Sequence, residues 1–152
     1  MSKAFGLAGL RIGWLACRDQ ILLKKIEQFK HYTSICNSAP SEILSIIALK
    51  NKAQILAENN NIVTSNLQFL DKFLAKNKHL FSWVRPTGGC IGFVKYTSSE
   101  SVEKLCTRVV ANTGVLLMPG SIYDVDSNHF RIGFGRKNMP EALHKLEEFL
   151  AL

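Results

Sequence analysis

Two cationic side chains and three glycines distinguish the first fourteen residues of this 152-residue chain. Lys3 is followed eight positions later by Arg11, and apolar residues fill the gaps around Gly6, Gly9 and Gly13. Glycine allows tight backbone turns, so both cations can reach one small ligand. A lysine amine forms a Schiff base with an aldehyde, and an arginine guanidinium suits a phosphate. The alternative is an ordinary basic turn before a strand, with both side chains in solvent.

Pyridoxal phosphate carries both an aldehyde and a phosphate, which Lys3 and Arg11 would grip at opposite ends. The segment Ser-Lys-Ala-Phe-Gly-Leu-Ala-Gly-Leu-Arg-Ile-Gly-Trp resembles the cofactor-lysine signature of the class I and II aminotransferases. These are fold-type I enzymes that use pyridoxal 5'-phosphate. The resemblance implies that Lys3 holds the cofactor as a Schiff base and then moves a proton between substrate and cofactor. It also implies that Arg11 neutralises the phosphate. Ser2 is a candidate phosphate contact because it immediately precedes Lys3, whereas the family's phosphate serine lies three positions before the lysine.

A second candidate for ligand binding, Arg131, lies inside a predicted strand between Phe130 and Ile132. By itself, the period of two in a strand would turn this charge outward to water. The resemblance implies instead that Arg131 binds the α-carboxylate of an amino acid or 2-oxo acid substrate and so fixes its orientation. Tyr123, which follows the turn at Pro119, is a candidate for the entrance of the substrate site, although packing is the usual role of such an aromatic.

Length and composition indicate a soluble globular protein. Of the residues, 47% are hydrophobic and 20% are charged. No apolar run reaches the roughly 18 residues of a membrane span. The start has no signal-peptide pattern, so we expect no membrane association and a cytoplasmic location. The four cysteines and four histidines are too dispersed for a structural zinc site, and no metal is expected.

The formal net charge of +7 at pH 7 raises the question of a nucleic-acid partner. Lysines and arginines are spread over the chain, however, and do not form one basic stripe interleaved with aromatic residues. We therefore expect no nucleic-acid partner. A basic nucleic-acid-binding module stays an alternative function, and it predicts salt-sensitive binding to DNA or RNA.

The first half of the chain is predicted to be mainly helical. An apolar stretch at 11–17 predicts a strand, and Asp19 is a suitable N-cap for a helix over 20–30. A helix over 41–50 is apolar around most of its circumference and needs a cover on more than one side. Since members of the family that the chain resembles dimerise, we expect this helix to drive formation of a homodimer. The apolar pattern then continues as one long helix from 53 to about 77.

The second half is predicted to alternate short strands with helices. The turn at 86–89 separates two strands, and Gly114 is a natural C-terminal glycine for the next helix. The order β-β-α-β-β-α makes a sheet with helices over one face. The predicted elements are strands at 81–85 and 91–96, a helix from Ser99 or Ser101 to Gly114, strands at 115–118 and 130–134, and a helix that begins near Pro140.

The resemblance implies an α/β fold, namely the C-terminal portion of a fold-type I enzyme dependent on pyridoxal phosphate. It predicts that residues 1–52 are the end of the large cofactor-binding domain, 53–78 a connecting helix and 79–152 the small domain. It covers the whole chain but only the family's C-terminal portion, so we expect a truncated gene product or a piece of a longer protein. The family's aspartate that pairs with the pyridine nitrogen lies outside this portion, and the isolated chain is expected to be inactive.

The activity implied is transamination, the transfer of an amino group between an amino acid and a 2-oxo acid. Fold-type I β-lyases and acyl-transferring synthases share the lysine and both arginines, so they stay open as alternatives. A transcription regulator with an aminotransferase-like domain would need a helix-turn-helix segment, which these residues lack. The segment does not identify the amino donor.

Overall fold

The chain folds as two compact units. The computed structural model describes residues 1–125 and 127–151. The first unit comprises Met1–Asn59, and the second begins at Asn60. Helix α3, at Lys52–Lys76, runs through this boundary. The finer division into a large-domain remnant, a connecting helix and a small domain stays a prediction.

Helices dominate the first unit. A short 3₁₀ helix at Ala8–Leu10 is followed by α1 at Gln20–Thr33, α2 at Ala39–Lys50 and the first turns of α3. The Asp19 carboxylate accepts hydrogen bonds from the backbone N–H groups of the second and third residues of α1, at 2.9 and 3.1 Å. This geometry satisfies two of the N–H groups that every helix start leaves unpaired, and it confirms the predicted N-cap.

The strand predicted at 11–17 was wrong, because these residues have no regular secondary structure. A strand needs a neighbour whose backbone can pair with its own N–H and C=O groups. Within residues 1–59, the structure contains no other strand to serve as that neighbour. Trp14 and Leu15 are accordingly 64% and 73% exposed. The apolar pattern indicates that the segment favours burial, but it does not indicate whether a second strand is present to pair with it.

Helix α2 leaves most of its apolar side chains exposed. The side chains that it buries in the first unit are the small ones of Ser45 and Ala48, at 5% exposure each. Its large aliphatic residues form a surface that we call the α2 apolar face. These residues, between 41% and 58% exposed, are Ile43, Leu44, Ile46, Ile47 and Leu49. The sequence predicts that this helix is covered on more than one side, and the α2 apolar face is the surface that the first unit leaves uncovered.

The second unit carries a four-stranded antiparallel sheet with the strand order β1-β2-β4-β3. The elements after α3 follow each other as β-β-α-β-β-α, which confirms the predicted order. The strand predicted at 115–118 begins only at Met118. Where the chain leaves the helix, the Val115 N–H group donates to the Thr113 hydroxyl at 3.1 Å instead of to a neighbouring strand. The bounds are β1 Phe81–Trp83, β2 Ile91–Tyr96, α4 Val102–Thr113, β3 Met118–Pro119, β4 His129–Gly133 and α5 Met139–Leu150.

The two faces of this sheet differ because side chains alternate along each strand. One face is buried against α3, α4 and α5, and it includes Val94, Phe130 and Ile132, all below 8% exposure. The side chains of the opposite face are partly or largely exposed. This face, which we call the open face, carries Phe93, Lys95, His129 and Arg131. The core thus holds the sheet rigid from behind while it presents polar side chains in front.

Helix α4 is capped at both ends as predicted. The Ser101 hydroxyl accepts a hydrogen bond from the Lys104 backbone N–H group at 3.4 Å, and Gly114 closes the helix with a left-handed φ of 70°. Glycine is favoured there because it has no Cβ to clash. Across residues 1–125 and 127–151, no helix is both long enough and apolar enough to cross a membrane.

Candidate functional site

The segment around Lys3 folds into a loop closed by its own backbone. The terminal amine of Met1 donates to the Ile12 carbonyl at 3.4 Å, and the Leu7 N–H group donates to the Met1 carbonyl at 3.3 Å. The Gly6 N–H group donates to the Lys3 carbonyl at 3.0 Å. We call residues 1–12 the N-terminal loop. Because its two ends meet, Lys3 and Arg11 belong to one small closed piece of structure.

A left-handed backbone at Gly6 makes this reversal possible. Gly6 has a φ of +65°, and an added Cβ would lie 3.6 Å from the Asn59 side chain, which is an ordinary contact. The φ angle, rather than lack of space, therefore favours glycine here. Asn59 also donates from Nδ2 to the Ala4 carbonyl at 2.9 Å, which ties the loop to helix α3 within the same unit.

Arg11 holds its backbone in an uncommon conformation. Its φ of 52° and ψ of 36° are left-handed, and its Nη1 donates to the Ala8 carbonyl at 3.2 Å. For a residue with a Cβ, this conformation costs roughly 1–2 kcal/mol. The hydrogen bonds of the surrounding loop must offset that cost. The loop fold, rather than local preference, therefore fixes the backbone conformation of Arg11.

The N-terminal loop is strongly cationic. The first eighteen residues contain Lys3, Arg11 and Arg18 but no aspartate or glutamate. In the described part of the chain, neither Lys3 nor Arg11 forms a salt bridge, and both side chains are exposed. An amine and a guanidinium without carboxylate partners are the donor set that an aldehyde and a phosphate require. Ser2, next to Lys3, is partly buried and adds a hydroxyl.

Arg131 is held by a tyrosine on the open face of the second unit. Its Nη1 donates to the Tyr123 hydroxyl at 2.7 Å, and its guanidinium carbon lies 6.0 Å from the centroid of the Tyr123 ring. The distance to the ring is within the range of a cation–π interaction. On either side of Arg131, the residues directly opposite in the neighbouring strands are Phe93 and Met118. The sequence-predicted residues Tyr123 and Arg131 are therefore in direct contact.

The Tyr123 side chain is carried by a 3₁₀ helix, Gly120–Tyr123, that packs tightly on the sheet. A Cβ added at Gly120 would lie 3.0 Å from the His129 carbonyl oxygen and 3.1 Å from Cζ of Phe93. These contacts are tighter than most side chains tolerate, so only glycine lets this helix approach so closely. Ser121, in the same short helix, donates from its hydroxyl to the Glu103 carboxylate at 2.8 Å.

Two residues of the open face escaped the sequence analysis. The rings of Phe93 and His129 stack with centroids 5.2 Å apart and an interplanar angle of 6°. The His129 Nδ1 lies 2.8 Å from the Ser127 carbonyl oxygen, so this nitrogen carries the hydrogen in a neutral ring. The alternation of β4 places His129 and Arg131 on one face, but only the register of β2 against β4 reveals that Phe93 lies beside them.

Electrostatic surroundings shift the pKa of two groups in this unit. The pKa of the Glu103 carboxyl lies below its ordinary value, because its own backbone N–H group and the Ser121 hydroxyl stabilise the charged form. Burial of Cys106 in the core raises the pKa of its thiol to about 11, with the Glu103 charge as a smaller cause. A thiol with so high a pKa is a poor nucleophile, so Cys106 is a core residue. Among the described residues, no group of three potential metal ligands comes together.

Known proteins resemble this chain over nearly its whole length. The sequence model of the family described as aminotransferase class I and II matches residues 1–146. Capreomycidine synthase from Streptomyces vinaceus is 27% identical over 99% of this chain and 39% of its own length. A pyridoxal-phosphate-dependent aminotransferase from Streptococcus suis superposes with a TM-score of 0.89 at 31% identity, over 99% of this chain and 40% of that one. The pyridoxal-phosphate-dependent cyclase OrfR gives a TM-score of 0.87 at 25% identity, over 99% and 41%.

The chain thus spans about two fifths of the length of these relatives. The match includes the N-terminal loop as well as the open face of the sheet. Two of the relatives are named as dependent on pyridoxal phosphate, so the family and these relatives imply that cofactor. Because the family match extends over nearly all of its residues, from the lysine of the first loop into the last helix, the chain belongs to the class I and II aminotransferase family.

Proposed function

We propose that this chain is the C-terminal part of a pyridoxal-phosphate-dependent aminotransferase, which moves an amino group between an amino acid and a 2-oxo acid. The observation that carries the proposal is the N-terminal loop, in which Lys3 and Arg11 share one hydrogen-bonded fold without carboxylate partners among the described residues. Since the chain spans about two fifths of its relatives, we assign it the residues for part of the site rather than the whole site.

The residues of the first unit bind the cofactor. Pyridoxal phosphate, when bound, supplies an aldehyde that captures an amino group and a ring that draws electrons from the neighbouring bond. Lys3 would hold the cofactor through Nζ, and the same amine would carry a proton to and from the substrate α-carbon. Arg11 binds the phosphate with those donors that its bond to Ala8 leaves free, and Ser2 adds a hydroxyl to the same group.

The second unit binds the substrate. The Arg131 guanidinium pairs with the α-carboxylate, and two parallel hydrogen bonds fix the rotation of the substrate as well as its position. Transamination would require this control, because the rate of bond breaking at the substrate α-carbon depends on how the substrate is oriented. The core behind the sheet supports strand β4, which carries Arg131.

A trapping experiment tests the roles of Lys3 and Arg11. The chain is incubated with pyridoxal phosphate or with pyridoxal, reduced with borohydride and mapped by peptide mass spectrometry. We expect the added group mainly on Lys3, and loss of this selectivity in Lys3→Arg but not in the control Lys24→Arg. Arg11→Ala should weaken modification by the phosphorylated compound about tenfold and leave that by pyridoxal unchanged. Modification spread evenly over all lysines would contradict the proposal.

A second candidate activity comes from two of the relatives. One is named capreomycidine synthase and the other, OrfR, is named a cyclase, so neither carries the name of an aminotransferase. The same lysine and arginines would then serve a cyclisation, in which the substrate keeps its amino group. Product analysis of the complete protein separates the two: transamination releases a 2-oxo acid, whereas cyclisation releases a ring compound that retains the amino nitrogen.

Assembly and turnover follow from the same proposal. We infer that the α2 apolar face is covered in a homodimer, since its five aliphatic side chains are too exposed for an isolated surface. We also expect the isolated chain to show no sustained turnover, because the aspartate that keeps the cofactor ring protonated lies in the portion of the family that it does not span. A cytoplasmic location stays a prediction from the sequence.

A further inference from the structure

We propose that Tyr123 is a positioning residue for Arg131 and that its hydroxyl is a second donor to the carboxylate bound there. The inference rests on the proposed function in one respect, namely that Arg131 binds a carboxylate. It goes further by assigning a role to the tyrosine that contacts this arginine at 2.7 Å. The ligand class is a small carboxylate such as the end group of a 2-oxo acid.

The hydrogen bond between the two residues leaves the necessary donors free. Arg131 donates one N–H from Nη1, and a guanidinium has five such hydrogens in a fixed plane. The remaining donors still suffice for a two-point contact with a carboxylate. The Tyr123 oxygen acts as the acceptor, so its own hydrogen stays available for donation. One carboxylate can therefore receive hydrogen bonds from both side chains.

Arg131 needs such a partner because its side chain is long and only partly buried. A free arginine loses roughly 2 kcal/mol of rotamer entropy when a ligand fixes it. The Tyr123 hydroxyl fixes the end of the guanidinium, and the ring, 6.0 Å away, adds a second contact. Much of the ordering is thereby complete before the ligand arrives, which raises affinity.

Tyr123 is itself held from two directions. Gly120 lets the 3₁₀ helix approach Phe93 on strand β2, where no larger residue would fit without movement. Ser121 ties the same short helix to Glu103 on α4 through a 2.8 Å hydrogen bond. A tyrosine that only filled space would not need a hydroxyl aimed at a neighbouring cation, and this distinguishes a positioning role from packing.

Nuclear magnetic resonance of the full 152-residue chain, with pyruvate as the probe, tests the proposal. We expect unequal Nη signals for Arg131 in the unmodified chain, because the bond to Tyr123 hinders rotation. Tyr123→Phe should merge these signals and weaken pyruvate binding about tenfold, a loss typical of one hydrogen bond to a charged group. The control Tyr32→Phe, on helix α1, should change neither the signals nor the binding.

Two further measurements separate the possible failures. If Arg131→Lys does not diminish the pyruvate-induced shifts of β4 amides, Arg131 does not bind the carboxylate and the proposed substrate role fails as well. If Arg131→Lys removes these shifts but Tyr123→Phe keeps unmodified affinity, only the present inference fails. If Tyr123→Phe does not fold, the unmodified chain is titrated with pyruvate and the Tyr123 Cζ signal is followed. The proposal requires this signal to shift together with the Arg131 signals. A constant Cζ signal overturns the proposal.

Discussion

Ser121 donates a hydrogen bond to the carboxylate of Glu103 at 2.8 Å and so joins the turn that carries Tyr123 to helix α4. The contact crosses 18 positions in the sequence and lies at the surface. The pKa of this carboxyl is lowered by the backbone N–H group of Glu103 and, to a smaller extent, by the Ser121 hydroxyl. The contact between Ser121 and Glu103, which positions the turn that carries Tyr123, therefore depends on pH.

This link predicts a pH dependence with a definite sign. The folded-state pKa of Glu103 lies below the ordinary value of 4.5, so the contribution to stability is present above pH 4.5 and disappears as the pH falls through the lowered pKa. Glu103→Gln should therefore flatten part of the acid limb when melting temperature is plotted against pH. The control Glu27→Gln, on α1, should leave that limb unchanged, and equal slopes for both variants would contradict the prediction.

Gly120→Ala should destabilise the second unit. The new methyl group would meet the His129 carbonyl oxygen at 3.0 Å, and a backbone atom within a strand cannot easily move away. Overpacking of this kind typically costs 1–3 kcal/mol, and urea unfolding should show a loss of about that size. Gly133→Ala is the matched control, because its added Cβ has no neighbour within 4 Å. An equal effect of both substitutions would show that the close approach does not matter.

Asn66→Ala should also lower the free energy of unfolding. The Asn66 side chain is 3% exposed and donates from Nδ2 to the carbonyl groups of Phe134 and Arg136, at 3.0 and 2.7 Å. Alanine leaves the buried Phe134 carbonyl and the partly buried Arg136 carbonyl without this partner, at a cost of roughly 1–3 kcal/mol. Denaturant titration measures the loss, with Ser65→Ala, on the exposed side of α3, as the control. A loss below that of the control would mean that water replaces the amide.

The α2 apolar face predicts self-association. Ile46 is 53% exposed near its middle, so Ile46→Glu places a charge where an apolar cover is expected. Light scattering should show a dimer for the unmodified chain and a smaller mass for the variant. Lys50→Glu, at the end of the same helix, is the control and should keep the dimer. A monomer for the unmodified chain would contradict the inference that this face is covered.

The parts of the fold that depend on neighbours in the sequence were predictable. Asp19 caps α1 and Gly114 closes α4, because caps need only a few adjacent residues. The order of strands and helices in the second unit follows from the period of the apolar residues for the same reason. The strand at 11–17 failed because pairing requires a distant partner, which an apolar pattern does not report.

The candidate site could be predicted only in part. The roles of Lys3 and Arg131 come from the resemblance to a family and stay predictions. The contact between Tyr123 and Arg131 was not predictable, since it depends on the rotation of a short 3₁₀ helix over the sheet. The stacking of His129 on Phe93 depends in turn on the register of β2 against β4, which cannot be read from the apolar pattern of either strand alone.

The strand order has a consequence for how this unit behaves at high concentration. Its edge strands, β1 and β3, are only three and two residues long, and Pro119 removes one N–H group from the shorter. Such edges offer few free backbone groups for a foreign strand to join, which protects the sheet from fibril-like growth. Precipitation during purification should accordingly be suppressed by mild detergent, which covers apolar side chains, rather than by agents that disrupt intermolecular β-structure.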